Sequence, residues 1–156
     1  MRRNKLALYL HSVWATWDRL PLIKPEIERR LLRNIENEAQ DLGCTVLAIN
    51  GTEDHVHVLL AIPTTVAIAD LVKQMKGVSS HFVNAAFDLE YQFKWQGSYG
   101  AFTVSRWDVD KIKQYVKHQK EHHATGELMP EFEEVFEEFE LNQSGEASST
   151  PVDDRL

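Results

Sequence analysis

Residues 44–62 of the chain read CTVLAINGTEDHVHVLLAI. Two apolar runs, residues 44–50 and residues 55–62, flank the polar segment 51–54, which begins with glycine. Apolar runs of this length around a short polar turn are typical of a β-hairpin. The stretch therefore predicts two antiparallel strands, and Pro63 ends the second because proline has no N–H for the ladder.

The segments on either side of this hairpin predict a further strand and two helices. Residues 5–16 mix aliphatic and aromatic side chains without a breaker, which favours a first, central strand. Residues 25–42 and 66–87 space their apolar side chains three and four apart, which predicts two amphipathic helices. The first helix has Pro25 at its start and Gly43 just past its end, as helices commonly do.

The C-terminal part predicts another strand and two more helices. Residues 91–95 and 98–105 carry bulky side chains and are expected to be extended, with the fourth strand in the second segment. Residues 108–123 predict a third helix. Residues 131–141 predict a short acidic helix with one apolar face, and polar, serine-rich sequence follows it.

The predicted elements follow the order strand, helix, strand, strand, helix, strand, helix. This order is typical of an α+β ferredoxin-like sandwich, in which an antiparallel sheet of four to five strands carries its helices on one face. We therefore expect one folded domain over residues 1–125, an acidic C-terminal helix within residues 126–141 and a disordered tail over residues 142–156.

The acidity of the chain is confined to its C-terminal end. The formal net charge is −7, yet residues 1–125 carry 16 Lys+Arg against 14 Asp+Glu, whereas residues 126–156 carry 1 against 10. The weakly basic body neither supports nor excludes nucleic-acid binding, which normally draws on clustered basic side chains. If the tail competes with DNA, deleting residues 126–156 is expected to tighten DNA binding at low salt.

The sequence carries no sign of a membrane or secreted protein. No uncharged apolar run approaches the roughly 20 residues of a membrane-spanning helix, and the first residues lack the apolar segment of a secretory signal. We therefore expect a cytoplasmic protein without membrane contact. Cys44 is the only cysteine, which excludes an internal disulfide and a cysteine zinc cluster.

His55 and His57 are candidate metal ligands on the second hairpin strand. Alternate side chains of a strand lie on one face, about 7 Å apart, so both imidazoles should point to the same side. The apolar residues around them anchor the strand as a rigid support. Two histidines alone do not define a metal site, and a pair of hydrogen-bonded histidines on a half-exposed strand is an equal alternative.

Tyr115 and Gln119 lie four residues apart in the predicted third helix, so they should project from one helix face. A nucleophile and an oxygen ligand would then be neighbours. Taken singly, Tyr115 is more often a packed aromatic side chain and Gln119 a solvated one. The functional interpretation therefore depends on their combination with the two histidines.

Five segments of the chain follow one another in a recognisable order: WATWDR at 14–19, DHVHVLL at 54–60, KGVSS at 76–80, WQGSYGAFTVS at 95–105 and YVKHQKEHH at 115–123. Together they resemble the single-tyrosine HUH transposases of bacterial insertion sequences that move as single-stranded DNA, including the REP-associated tyrosine transposases. The resemblance covers about residues 5 to 125.

The resemblance implies a role for each site residue. His55 and His57 correspond to the metal ligands, Gln119 to the third ligand and Tyr115 to the nucleophile. Such a transposase binds a DNA hairpin near the end of its element, cuts single-stranded DNA and forms a 5′-phosphotyrosine while releasing a 3′-hydroxyl. A homodimer is also implied.

The ligand set implied by the resemblance bears on the metal. Two imidazoles and one amide oxygen suit Mn²⁺ better than Mg²⁺, which prefers oxygen ligands, and Mg²⁺ or Mn²⁺ is expected to support cleavage. No small-molecule cofactor is expected. Basic side chains that could contact the DNA backbone are Lys76, which lies in one of the five segments, together with Arg2, Arg3 and Lys111.

The other histidines leave alternatives open. His118 and His122 share a helical face and could supply a ligand in place of Gln119. The pair formed by His122 and His123 belongs to the last of the five segments but has no derived role. His11, in the first strand, is expected to be structural.

Two other functions also remain open. A small metal-dependent phosphoesterase could use the same histidine strand, but two-histidine phosphoesterases need a pair of His-x-Thr/Ser motifs on separate strands, which the chain lacks. A domesticated, non-catalytic DNA-binding protein derived from such a transposase is the second alternative. The presence of Tyr115 together with all three implied ligands argues against it.

Overall fold

The structure is a computed structural model that describes residues 3–126. The description ends at Gly126. The expected acidic helix within residues 126–141, apart from Gly126 itself, and the expected disordered tail, residues 142–156, therefore lie outside the described residues.

Four strands form one antiparallel sheet, namely β1 (Tyr9–Ala15), β2 (Thr45–Gly51), β3 (His55–Ala61) and β4 (Gly100–Val104). Their spatial order is β2-β3-β1-β4, and the predicted hairpin joins β2 to β3. The two strands in the middle, β1 and β3, pair with each other along their whole length. This order confirms the expected α+β ferredoxin-like architecture with four strands.

Helices α1 (Pro25–Asp41) and α2 (Ile68–Ala86) cover one face of the sheet, as predicted. Their apolar stripes pack on the side chains that the central strands turn toward them, which are Leu10, Trp14, Val56, Val58 and Leu60. No helix within residues 3–126 combines the length and the apolar character needed to cross a membrane.

Helices α3 (Val109–Lys117) and α4 (Gln119–Thr125) lie over the opposite face of the sheet. The prediction that the helices lie on one face therefore holds for α1 and α2 but not for α3 and α4. The apolar side of α3, formed by Ile112, Tyr115 and Val116, packs with Leu59 of β3. The histidines of β3 face this second layer, because they alternate with the residues that face α1 and α2.

The third helix was predicted to be continuous over residues 108–123, and this prediction was wrong. The backbone leaves helical geometry at His118, with φ −104° and ψ 25°, which separates α3 from α4. The side-chain amide of Asn50, on β2, donates to the carbonyl of Lys117 at 2.8 Å. That carbonyl would accept a bond from the next turn of a continuous helix, so the contact with the sheet favours the break.

Residues 91–95 were expected to be extended, and among the described residues they contribute only a single bridge, between Trp95 and Thr16. The side-chain amide of Asn84, on α2, donates to the carbonyl of Phe93 and accepts from its N–H, both at 2.8 Å. The backbone groups of Phe93 therefore bond to a helix, whereas the carbonyl of the next residue, Lys94, accepts from the N–H of Trp17 at 2.9 Å beside the bridge.

Candidate metal and tyrosine site

His55 and His57 project from β3 into the layer that α3 and α4 cover. Both are buried, with 1% and 0% of their surface exposed, and their ring centroids lie 5.1 Å apart. The strand that carries them is paired on both sides, with β1 and with β2. The two imidazoles therefore share a face on a rigid support.

Each of these imidazoles is held through its Nδ1 atom. The Nδ1 of His55 lies 2.7 Å from Oδ1 of Asp54 and 2.9 Å from the hydroxyl of Thr52. The Nδ1 of His57 lies 2.9 Å from Nε2 of His11. When Nδ1 carries the proton, the lone pair lies on Nε2, which is then the nitrogen that can bind a metal.

Burial favours the neutral form of the inner histidines, the form that binds metals. It lowers the pKa of His57 well below its usual value, and the nearby charges of His55, His11 and His123 lower this pKa further. Burial also lowers the pKa of His11 to about 4. At neutral pH, His11 and His57 therefore meet as uncharged rings.

Asp54 supplies a carboxylate behind His55. Burial raises the pKa of this carboxyl, but the hydrogen bond with His55 and the charges of His55 and Arg19 outweigh it, so the pKa lies below its usual value. The Nε of Arg19 lies 3.7 Å from Oδ2 of Asp54. An ionised carboxylate bonded to the far nitrogen of a histidine is the usual outer partner of a metal ligand.

His123, on α4, joins the two strand histidines. One ring nitrogen from each of His55, His57 and His123 lies within 4.8 Å of the others. The ring of His123 is half-buried, and its centroid lies 4.7 Å from that of His55. Among the described residues, one ring nitrogen from each of three imidazoles thus converges on one small region, as in a cluster that can hold a metal ion.

Tyr115 packs beside this cluster on α3. Only 3% of its surface is exposed, and its ring stands edge-on to that of His57, with centroids 5.9 Å apart and an interplanar angle of 81°. Its ring also stacks on that of His122, with centroids 5.0 Å apart and an angle of 21°. The tyrosine predicted to be the nucleophile and a histidine predicted to be a ligand are therefore in contact within one chain.

Gln119 is fully buried at the start of α4. Its amide nitrogen donates to the backbone carbonyl of Tyr115 at 3.3 Å. Its Oε1 accepts no hydrogen bond from any residue within 3–126. An amide oxygen buried in this way is suited to a cation, because a buried acceptor without a partner is unfavourable.

The alternative ligands differ from His123 in their surroundings. The ring of His118 is exposed, and its Nδ1 lies 3.1 Å from a carboxylate oxygen of Glu121. The ring of His122 stacks on Tyr115. Neither belongs to the histidine cluster found among residues 3–126.

Sequence reasoning missed the partners of the site. Asp54 and His123 both lie inside segments that carried the family resemblance, and that was the available signal. His11 was expected to be structural, and its contact with His57 depends on the pairing of β1 with β3. No local pattern in the sequence marks that contact.

The basic residues proposed for DNA contact have different environments. The ammonium of Lys76 donates to the carbonyls of Gln96 and Ser98, at 2.5 and 3.2 Å, and burial lowers its pKa to about 8. Arg3 and Lys111 are exposed, and Arg2 lies outside the described residues. Lys76 therefore stabilises the loop before β4, and DNA contact by any of the four stays a prediction.

Lys120 ties α4 to the hairpin. Its ammonium donates to Oδ1 of Asn50 at 2.9 Å and to the carbonyl of Gly51 at 3.2 Å, and it also pairs with Glu28. Asn50 and Gly51 end the strand that turns into β3. The helix that carries Gln119 and His123 is thus bonded directly to the hairpin that carries His55 and His57.

The sheet, the paired histidines and the tyrosine agree with a DNA-processing enzyme, and the family match gives its class as a transposase, a recombination enzyme. The chain belongs to the IS200-like transposase family, because the family model described as "Transposase IS200 like" matches residues 4–119. This match confirms the resemblance carried by the five sequence segments.

Two curated relatives agree with this family. The chain is 29% identical over 117 residues to the ISDra2 transposase TnpA of Deinococcus radiodurans, which covers 72% of this chain and 84% of that protein. It is 34% identical over 81 residues to the transposase for insertion sequence element IS200 of Salmonella typhimurium. That second match covers 49% of this chain and 53% of the relative, so it spans about half the length of the Salmonella protein.

Two solved structures have a similar fold. One is the crystal structure of a Deinococcus radiodurans protein assigned as a transposase, with a TM-score of 0.60, 28% identity and coverage of 76% of this chain and 96% of that chain. The other is a REP-associated tyrosine transposase bound to a REP hairpin, with a TM-score of 0.56, 16% identity and coverage of 79% and 73%. At 16% identity, this second likeness concerns the fold alone.

Proposed function

We propose that the protein is a metal-dependent transposase that cuts single-stranded DNA and joins it again through a 5′-phosphotyrosine intermediate. The observation that carries the proposal is the contact between the ring of Tyr115 and that of His57, one of two buried histidines on β3. A nucleophile beside candidate metal ligands is the arrangement that such chemistry needs.

The residues present fit a divalent cation. His55 and His57 would bind it through Nε2, since Nδ1 of each is engaged elsewhere, and Gln119 would bind it through its buried Oε1. When bound, a Mg²⁺ or Mn²⁺ ion would polarise the scissile phosphate and offset the charge that develops on it. Tyrosine needs such help because its ordinary pKa, about 10, makes it a poor nucleophile at neutral pH.

The chain itself would supply the nucleophile. The phenolic oxygen of Tyr115 attacks phosphorus and releases its proton to solvent, so that an O–P bond forms. The bond from phosphorus to the 3′-oxygen of the preceding nucleotide breaks, and that oxygen takes up a proton and leaves as a 3′-hydroxyl. A second 3′-hydroxyl later attacks the phosphotyrosine and returns the phenol, so each step exchanges one phosphate ester for another and needs no ATP.

The substrate we propose is single-stranded DNA that contains a hairpin. The structural neighbour bound to a REP hairpin motivates this choice, since the two folds are alike. We further propose a cytoplasmic homodimer. Leu6 and Leu8 are exposed ahead of β1, and β4 forms an edge of the described sheet, which together offer a surface for a second copy. Light scattering would test the dimer.

The direct test is the formation of a covalent adduct. The parent protein, Tyr115→Phe and Tyr9→Phe would be incubated with Mn²⁺ and single-stranded DNA from the flanks of the gene, then separated on a denaturing gel. Parent protein and Tyr9→Phe should give a protein–DNA adduct, and Tyr115→Phe should give none while still binding the DNA.

Two other outcomes would reject the proposal in different ways. Cleavage by Tyr115→Phe without any adduct would favour a metal-dependent phosphoesterase that activates water. Hairpin binding by the parent protein without cleavage or adduct, in the presence of Mn²⁺, would favour a non-catalytic DNA-binding protein.

A further inference from the structure

We propose that His123 is a metal ligand, which makes the metal centre a site of three imidazoles rather than two. The inference deepens the proposed function, on which the catalytic role of the metal rests. It starts from the cluster of ring nitrogens of His55, His57 and His123, which all lie within 4.8 Å of one another. Nitrogens that bind one ion at about 2.0–2.1 Å are separated by less than about 4.2 Å, so small side-chain shifts would complete the site.

The position of His123 is set by contacts that do not involve the metal. Lys120, one helical turn earlier on α4, donates to Oδ1 of Asn50 and to the carbonyl of Gly51. These contacts hold α4 against the hairpin whose second strand begins at His55. His123 therefore approaches His55 because the helix is docked, and a cation would find the third imidazole already nearby.

The neighbouring histidines make His123 the specific choice on this helix. The ring of His118 is exposed and paired with Glu121. The ring of His122 lies against Tyr115. His123 also lines a surface cavity of about 420 Å³, whose wall includes Thr52 and Glu53 of the hairpin turn. His123 therefore lies between this cavity and the buried rings of His55 and His57.

A third imidazole changes which ions the site should prefer. Mg²⁺ favours oxygen ligands, whereas imidazole suits Mn²⁺, Co²⁺ and Zn²⁺ increasingly well. With Gln119 as the oxygen ligand, three nitrogens would dominate the coordination. The site should therefore bind Co²⁺ and Mn²⁺ considerably more tightly than Mg²⁺.

The test measures metal binding to the full chain without DNA. Co²⁺ would be titrated into the parent protein, His123→Ala, His55→Ala and His118→Ala, and the visible absorption of bound Co²⁺ would be recorded. His123→Ala should weaken Co²⁺ binding by more than about tenfold and change the absorption spectrum, since the loss of a ligand exceeds the loss of an outer partner. His118→Ala, a matched histidine on the same segment, should bind as the parent does.

A second variant guards against a folding defect. His123→Gln keeps a side chain of similar length and offers an amide oxygen. Relative to the parent protein, this variant should lose less affinity for Mn²⁺ than for Co²⁺. Circular dichroism and thermal unfolding without metal would establish that both His123 variants are folded. Parent-like Co²⁺ affinity and spectrum in folded His123→Ala or His123→Gln would overturn the inference.

The same titration separates this inference from the proposed function. If His55→Ala loses Co²⁺ binding and His123→Ala does not, only the role of His123 fails. If both variants bind Co²⁺ as the parent does, the histidines hold no metal, and both the inference and the metal dependence of the proposed function fail. The adduct assay with Tyr115→Phe reports on the nucleophile independently of either result.

Discussion

The Nδ1 atom of His55 and the Oδ1 atom of Asp54 lie 2.7 Å apart at the start of β3. The two residues are adjacent in the chain, yet their side chains meet because Asp54 lies in the turn, before the alternation of the strand begins. The carboxylate is also close to Arg19, which helps to keep it ionised. The contact orients the imidazole so that Nε2 is directed to the site and increases the basicity of that atom.

Replacing Asp54 with Asn should therefore weaken metal binding without unfolding the protein. We expect the affinity for Co²⁺ or Mn²⁺ to fall by about 10–100-fold, the usual effect of removing an outer partner of a histidine ligand. Glu53→Gln is the matched control, because Glu53 is the exposed carboxylate that directly precedes Asp54 in the chain. Equal affinities for the two variants in a metal titration would contradict this role for Asp54.

Gly51→Ala should destabilise the hairpin and disturb His55. A Cβ at position 51 would lie 2.3 Å from the carbonyl oxygen of His55 and 3.1 Å from Cα of Val56, both backbone atoms that cannot rotate away. We expect a loss of about 1–3 kcal/mol in the free energy of unfolding, measured by urea denaturation.

Gly77→Ala provides the opposite control within the same chain. Apart from its chain neighbours and the backbone of its own helix, a Cβ at this position in α2 would meet no atom within 4 Å, and alanine is the better helix former. This change should raise the free energy of unfolding by about 0.5–1 kcal/mol. A greater loss from Gly77→Ala than from Gly51→Ala would show that steric contact at the turn is not the deciding factor.

Asn50→Ala should loosen α4 from the sheet. Asn50 donates to the carbonyl of Lys117 and accepts from the ammonium of Lys120, and both bonds are lost in the variant. We expect the free energy of unfolding to fall by about 1–2 kcal/mol and hydrogen exchange at the amides of α4 to become faster. Gln40→Ala, which removes an exposed contact with Glu36 on α1, should change neither quantity appreciably. If the amides of α4 exchange as slowly in Asn50→Ala as in the parent protein, Asn50 does not dock α4 on the sheet.

Lys76 should make stability depend on pH in the alkaline range. Burial lowers its pKa from 10.5 to about 8, so between these values the unfolded chain retains a proton that the folded protein has lost. The unfolded state binds more protons there, and the contribution of Lys76 to the free energy of unfolding therefore rises as the pH increases from about 8 to 10.5.

The comparison with Lys76→Met isolates this contribution. The difference in free energy of unfolding between the parent protein and Lys76→Met should increase across this pH range. Lys73→Met, which removes an exposed lysine one turn earlier on α2, is the matched control variant. Two parallel pH profiles for the parent and Lys76→Met would show that the pKa of Lys76 is not lowered.

Local patterns were sufficient where neighbouring residues decide the structure. The apolar runs around residues 51–54 predicted the hairpin, and helical spacing predicted α1 and α2 to within about two residues of their observed ends. These elements follow from periodicity and turn chemistry, which operate over a few residues. The break at His118 escaped prediction, because it depends on Asn50, which is remote in the chain.

The sequence by itself determined that His55 and His57 share one face of β3, because the alternation of a strand is a property of its backbone. Only the tertiary structure decided their partners. The pairing of β1 with β3 brings His11 to His57, and the docking of α4 on the hairpin brings His123 to His55. Such contacts depend on register and on helix packing, and these are set by the whole buried core rather than by any local run of residues.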